Sequence, residues 1–347
     1  MKPNFSILLF LFLGVVSVLA QPRPINEENF VEIGGIEQWV TIKGDDVSKP
    51  VVLLIHGGPG NAISPYAEAI YGTWEKDFVL VNWDQRGAGR TYGRNSPAKL
   101  TEDFYIENPI TVAEMTADGI ELTKYLIKHL QKQKITIIGT SWGSILGISM
   151  VSKQPELYDA YIANSQYVGY PDNLINAYQI VSKMAKNAED TEAISALQTL
   201  GKPPYSSAKN SGQLLRIIKK YERKNSVPAP DEWSKPAPQY DNDIDSKNRY
   251  DGDDYSFINA MGHEILGIKP MLAEIDLNHN NLEFKIPVYF VQGKEDIVTS
   301  KEINKPYFDK IKAPEKEYFL LPGAGHGQNQ AVVDKQYELL KRIYHVE

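Results

Sequence analysis

The chain contains no cysteine in its 347 residues. That absence removes disulfides, thiolate metal sites, a thiol nucleophile and a lipid-modified N-terminal cysteine together. Basic residues are in short supply, 37 against 44 acidic, for a formal net charge of −7. A chain so balanced lacks the basic face that a nucleic-acid partner requires, and none is expected. Beyond the first twenty residues there is no long apolar run, and no internal repeat is visible.

Those first twenty residues are the exception. Lys2 precedes an apolar stretch at residues 7–16, and Ser17-Val18-Leu19-Ala20 puts small or modest side chains where cleavage would fall. This is the layout of a secretory signal, too short for the ~20 apolar residues of a spanning helix. Cleavage after Ala20 would leave Gln21 first and 36 basic residues against 44 acidic. The expectation is an exported protein, periplasmic or secreted, with no stable membrane insertion once the signal is gone. Lacking disulfides, it must be held by its core, which this length and 42% hydrophobic residues permit.

What is present is an alternation of strands and helices. Residues 29–43 read as two strands broken at Gly34-Gly35. Val-Val-Leu-Leu-Ile at 51–55 and the run 78–83 are continuously apolar, as strands buried on both faces are. Residues 111–131 follow helical spacing, with Thr111 and Glu114 placed as a capping box. A strand at 135–138, a helix to about 154 and a strand near 160–164 follow. The alternation resumes only at 286–291, with a helix at 303–311, a strand at 318–321 and a closing helix at 330–344. The fold class expected is α/β, a mostly parallel open sheet with helices on both faces. Residues 21–166 and 284–347 form the core. The stretch 167–283 is a mainly helical cap insertion, with helices at 173–187, 214–223 and 256–268 and an irregular segment between 226 and 254.

The chemistry is concentrated where strands end. Gly139-Thr140-Ser141-Trp142-Gly143 joins a β-branched run to a helix-compatible segment. A serine on such a turn has its Oγ projecting clear of the sheet, and Gly139 and Gly143 let strand and helix approach closely. A serine hydroxyl needs a base to take its proton and a carboxylate to orient that base. Asp296, after the strand at 286–291, and His326, after the strand at 318–321, supply both at the same sheet edge. Glu295 is the rival acid, but Asp296 sits better in the turn. Of the other histidines, His56 begins a glycine turn and reads as structural, while His129, His263, His279 and His345 lie elsewhere. The Trp142 amide comes with the turn, and Gly58 of His56-Gly57-Gly58-Pro59-Gly60 would supply a second amide for an oxyanion.

The order Ser, Asp, His is that of α/β-hydrolases. The segments 56–60, Asp84-Gln85-Arg86-Gly87-Ala88-Gly89-Arg90 and 139–144 together resemble the proline iminopeptidase (prolyl aminopeptidase) family of that superfamily. The resemblance covers residues 30–165 and 285 to the end. It implies the α/β-hydrolase fold and a serine aminopeptidase that releases an N-terminal residue, often proline, from peptides. A carboxylesterase or amidase acting on small acyl substrates with the same triad is the alternative. Family members hold the substrate ammonium with acidic cap residues, one of them in a Glu-Asn-His-Tyr-type stretch. The comparable region here reads Asp253-Asp254-Tyr255-Ser256-Phe257, with Glu264 beyond it, and Asp254 and Glu264 are the candidates. The 84–91 motif reads as a structural loop whose Arg86 braces the cap. Residues 241–252 depart from a calcium loop at Ser246 and Gly252, and no metal or other cofactor is expected.

Overall fold

The computed structural model describes residues 21–97 and 99–346; the expected signal segment, residues 1–20, lies outside them. Eight strands form one sheet: β1 (Ile25–Ile33), β2 (Ile36–Gly44), β3 (Val51–Ile55), β4 (Val79–Trp83), β5 (Ile135–Thr140), β6 (Tyr158–Asn164), β7 (Val288–Gly293) and β8 (Lys316–Leu321). Their spatial order is β1-β2-β4-β3-β5-β6-β7-β8. From β4 to β8 every neighbouring pair is parallel, and the β1–β2 hairpin adds on antiparallel through β2 and β4.

Burial on both faces explains the unbroken apolar strands. Leu53 and Ile55 point into one core layer and Val52 and Leu54 into the other. The first layer is filled from α4 (Val112–His129) and α5 (Trp142–Lys153), the second from α1 (Ala67–Tyr71) and α11 (Gln330–Tyr344). The remaining core helices are α2 (Gly89–Asn95), α3 (Glu102–Glu107) and α10 (Lys301–Lys310). Thr111 caps α4 by accepting from the Glu114 amide at 3.1 Å. The reciprocal half of the expected capping box is diverted, because the Glu114 carboxylate faces Arg86 at 3.5 Å.

All of residues 165–287 lies between β6 and β7 and carries α6 (Tyr170–Asn187), α7 (Thr191–Leu200), α8 (Ala208–Asn225) and α9 (Asp243–Met261). Two of these correct the sequence reading. Helix α7 was not expected; Asp190 starts it by accepting from the Ala193 amide at 3.1 Å. Helix α9 begins inside the segment read as irregular, with Asn242 as its cap, accepting from the Asp245 amide at 3.0 Å. Its buried face is Gly252, Tyr255, Ser256, Asn259, Ala260 and Met261, so small and polar groups hide the period that apolar residues would have shown. The same helix takes up residues 243–252, so the 241–252 stretch is not a loop.

Of the two arginines of the 84–91 motif, Arg90 and not Arg86 ties the cap to the core. Arg90 forks onto Asp245 of α9 at 2.8 and 2.7 Å, donates to the Gln239 carbonyl at 2.7 Å, and stacks between Trp39 and Tyr240. Arg86 turns inward to Asp118 of α4 at 2.9 Å and to the Gly34 carbonyl, also at 2.9 Å. Among the described residues no helix is long and apolar enough to cross a membrane.

Candidate active site

Ser141 is the residue at which β5 becomes α5, and it pays the conformational cost of that junction. Its φ of 52° and ψ of −117° lie where few residues with a side chain settle, a strain of about 1–3 kcal/mol. The surroundings enforce it. A Cβ at Gly139 would meet the Gly143 carbonyl oxygen at 2.5 Å, and one at Gly143 would strike the Ile55 carbonyl. The Ser141 amide is tied to the Asn164 carbonyl on β6 at 2.9 Å.

The three residues expected to act together are together. Ser141 Oγ lies 2.9 Å from His326 Nε2, and His326 Nδ1 lies 3.0 Å from Asp296 Oδ2. Because a carboxylate only accepts, Nδ1–H donates to Asp296 and Nε2 is left to accept from the serine hydroxyl. Asp296 is 4% exposed. Thr299 completes its solvation: its amide donates to Oδ1 at 2.8 Å and its hydroxyl to Oδ2 at 2.7 Å. Burial raises the Asp296 pKa, but the imidazole charge and these donors outweigh it and hold the group down, to about 2. Burial would likewise lower His326; Asp296 reverses that and raises it above its ordinary value. Glu295, the rival acid, accepts instead from the Gly323 amide at 2.9 Å.

The Gly57 backbone packs against Ser141, so that a Cβ there would stand 3.3 Å from the serine Cβ. Among the described residues neither the Gly58 nor the Trp142 amide is taken by a protein acceptor. Trp142 follows the serine and Gly58 follows Gly57, so both free N–H groups lie on the two turns that meet there. His56 holds this turn. It is buried neutral, its pKa pushed down to about 4 by desolvation. Nδ1–H donates to the Gly57 carbonyl at 2.8 Å, and Nε2 accepts the Gln85 amide at 3.2 Å.

The expected ammonium ligands are not brought to the triad. Glu264 is exposed, with Ser206 Oγ at 3.4 Å as its contact. Asp254 is exposed on α9, on the side that faces Tyr92 and Tyr105. Its neighbour Asp253 is exposed too, but its backbone packs against the turn, since a Cβ at Gly60 would meet the Asp253 Cα at 2.5 Å. Burial first, and the Asp254 charge second, raise the Asp253 carboxyl.

Two further residues were missed. Thr299 carries no motif. Glu222 on α8 is 8% exposed and accepts from the His326 amide at 2.7 Å and the Ile297 amide at 3.0 Å. A signal for it existed: Leu214, Ile218 and Glu222 recur every four residues on the buried stripe of α8, and a carboxylate in phase with leucine and isoleucine needs a reason. Among the described residues no cluster of three or more His, Cys, Asp or Glu groups is placed to hold a metal ion.

Comparison with known proteins identifies the fold. The family model described as alpha/beta hydrolase fold matches residues 50–329. A probable aminopeptidase of Bacillus subtilis is 26% identical over 85% of this chain and 89% of its own length. A proline iminopeptidase of Clostridioides difficile is 28% identical over 40% of this chain and 43% of its own. The solved structure of a proline iminopeptidase from Mycobacterium smegmatis superposes with a TM-score of 0.61 at 17% identity, covering 92% of this chain and 98% of that one. The chain therefore belongs to the α/β-hydrolase fold family, and within it its sequence is similar to aminopeptidases and proline iminopeptidases.

Proposed function

We propose that this hydrolase is a serine aminopeptidase of proline iminopeptidase type, exported after removal of residues 1–20. The observation that carries the chemistry is the hydrogen-bonded line Ser141–His326–Asp296 beside two unspent amides. Ser141 Oγ attacks the carbonyl carbon of the N-terminal residue while His326 Nε2 takes its proton. The tetrahedral oxyanion is held by the Gly58 and Trp142 amides. His326 then returns the proton to the leaving amine, and water, activated by the same imidazole, releases the acyl group and restores the serine. Asp296 holds the tautomer and balances the imidazolium.

The names of the relatives support peptides as substrates. An aminopeptidase must also read a free ammonium, which calls for a carboxylate at the rim of the oxyanion turn. Asp253, exposed and with its backbone packed on Gly60, is the one we assign to that task.

The test is hydrolysis of aminoacyl-7-amido-4-methylcoumarins, proline included, beside p-nitrophenyl acetate, with Ser141→Ala as control. Serine-dependent release that is lost on N-acetylation of the substrate supports the aminopeptidase. Serine-dependent ester cleavage with no amide turnover would replace it by a carboxylesterase. Export is checked separately: N-terminal sequencing of the protein from the periplasm or medium should begin at Gln21.

A further inference from the structure

The triad's base sits in a glycine-rich turn with few holds of its own. His326 is flanked by Gly323, Gly325 and Gly327 in a turn after β8, and its position is fixed by groups from other parts of the chain. Asn164 Nδ2 donates to the Gly327 carbonyl at 3.2 Å, and Ser165 Oγ accepts the Gly327 amide at 3.3 Å. Both come from the end of β6, beside the strand that carries the serine. The third hold comes from the cap. One carboxylate oxygen of Glu222 takes the His326 amide, and the other takes the amide of Ile297, the residue after Asp296. The fit is close, because a Cβ at Gly325 would come within 2.8 Å of Glu222 Oε1.

We propose that Glu222 is a positioning residue for the triad: a carboxylate carried by the cap that pins the acid turn and the base turn to one point and sets a second negative charge behind His326. The proposal rests on the serine-hydrolase reading above. It gives the cap a part in the chemistry as well as in substrate selection, since α8 must be docked for acid and base to keep their spacing.

The charges around this point are few and each has a place. Asp296 pairs with His326. Glu295 is spent on the Gly323 amide. Lys219, three residues earlier on α8, is exposed and opposes protonation of His326, and it also faces Asp253. Glu222 itself is raised by burial and then by Asp296, and it acts on His326 in the direction opposite to Lys219. Both of its oxygens accept N–H bonds, which suits the ionised form.

The experiment uses p-nitrophenyl acetate, which has no ammonium, so that binding of an amine does not enter. The pH profile of kcat/KM is compared for wild type, Glu222→Gln and Glu222→Asp, alongside the rate of labelling by a fluorophosphonate, which reads folded molecules alone. Glu222→Gln should move the acid limb to lower pH by roughly half a unit or more, because the anion favouring imidazolium is gone, and should cut kcat about tenfold or more. Glu222→Asp keeps the charge but cannot span both amides, so the limb should stay and kcat should fall.

An unmoved limb in Glu222→Gln overturns the charge role and leaves a structural one. Wild-type turnover in Glu222→Asp overturns the pinning, and decides the matter by itself should the glutamine variant not fold. A rise in KM confined to free-amine substrates, with the ester profile unchanged, would make Glu222 a substrate ligand instead. Ester turnover that survives Ser141→Ala would defeat the underlying triad reading, a result distinct from all of these.

Discussion

The proposed nucleophile and the proposed base reach the same point by opposite means. Ser141 is placed mainly by its own neighbourhood in sequence, β5 before it, α5 after it and two glycines that let them meet, with the Ile55 and Asn164 carbonyls closing in from β3 and β6. His326 is held by Asn164, Ser165 and Glu222, residues between 104 and 162 positions away along the chain. A site can therefore carry a rigid, locally determined atom and a second one whose placement depends on the whole fold. The first is exposed to local damage, the second to anything that loosens cap from core.

Four substitutions or conditions test that contrast, beside the Glu222 series. The largest effect belongs to the local element. Ser141→Ala should reduce kcat by about 10⁴-fold or more, with the melting temperature unchanged or raised, since the strained turn remains but the attacking atom is gone. Residual turnover near wild type, measured on an ester and an aminoacyl amide, would defeat the nucleophile assignment. Thr299→Val comes next and strikes the long-range element, removing one hydroxyl donor from Asp296. Turnover should fall about tenfold.

The sign of the accompanying stability change follows from Asp296. Its folded pKa, about 2, lies below its usual 3.8, so its stabilisation is present above the higher value and is lost as pH falls through the lower one. Removing the Thr299 hydroxyl raises the folded value, so acid unfolding should begin at higher pH than in wild type. Unchanged acid unfolding would show that the Thr299 hydroxyl does not stabilise the carboxylate.

Smaller still is the wild-type pH profile. His326 is raised above 6.5, and the mechanism needs it neutral, so kcat/KM should fall on the acid side with an apparent pKa above that figure. An acid limb below 6.5 would mean that burial outweighs Asp296. The smallest effect is expected from Arg90→Ala, which frees Asp245 and opens the stack between Trp39 and Tyr240. A loss of about 1–3 kcal/mol, seen as a melting temperature lower by a few degrees, should leave the acid limb in place, because α9 carries no hold on the base. A shift of that limb in Arg90→Ala would show that α9 and α8 move as one.

Much of the architecture was legible because it repeats over short distances. The apolar runs at β3 and β4, the spacing of α4 and α11 and the turns that end β5, β7 and β8 all write their period into adjacent residues. The hydrogen-bonded line of Ser141, Asp296 and His326 was legible for a related reason: each follows a strand, and a parallel sheet gathers strand ends on one edge. The cap resisted. Helix α9 hides its period behind buried Gly252, Ser256 and Asn259, and the ammonium candidates Asp254 and Glu264 were chosen by residue type and both lie exposed. Arg90 rather than Arg86 fastens the cap because Asp118 of α4 stands nearer Arg86, a fact of three-dimensional placement.

What the sequence determined by itself was the set of residues proposed to react and the local backbone that presents the serine, since strand, turn and helix propensities act over a few residues. What only the tertiary structure decided was how the base is held and charged. Glu222, Asn164, Ser165 and Thr299 act through hydrogen bonds made across the fold, and a carboxylate's field and an amide's partner depend on distance in space, which sequence order does not contain.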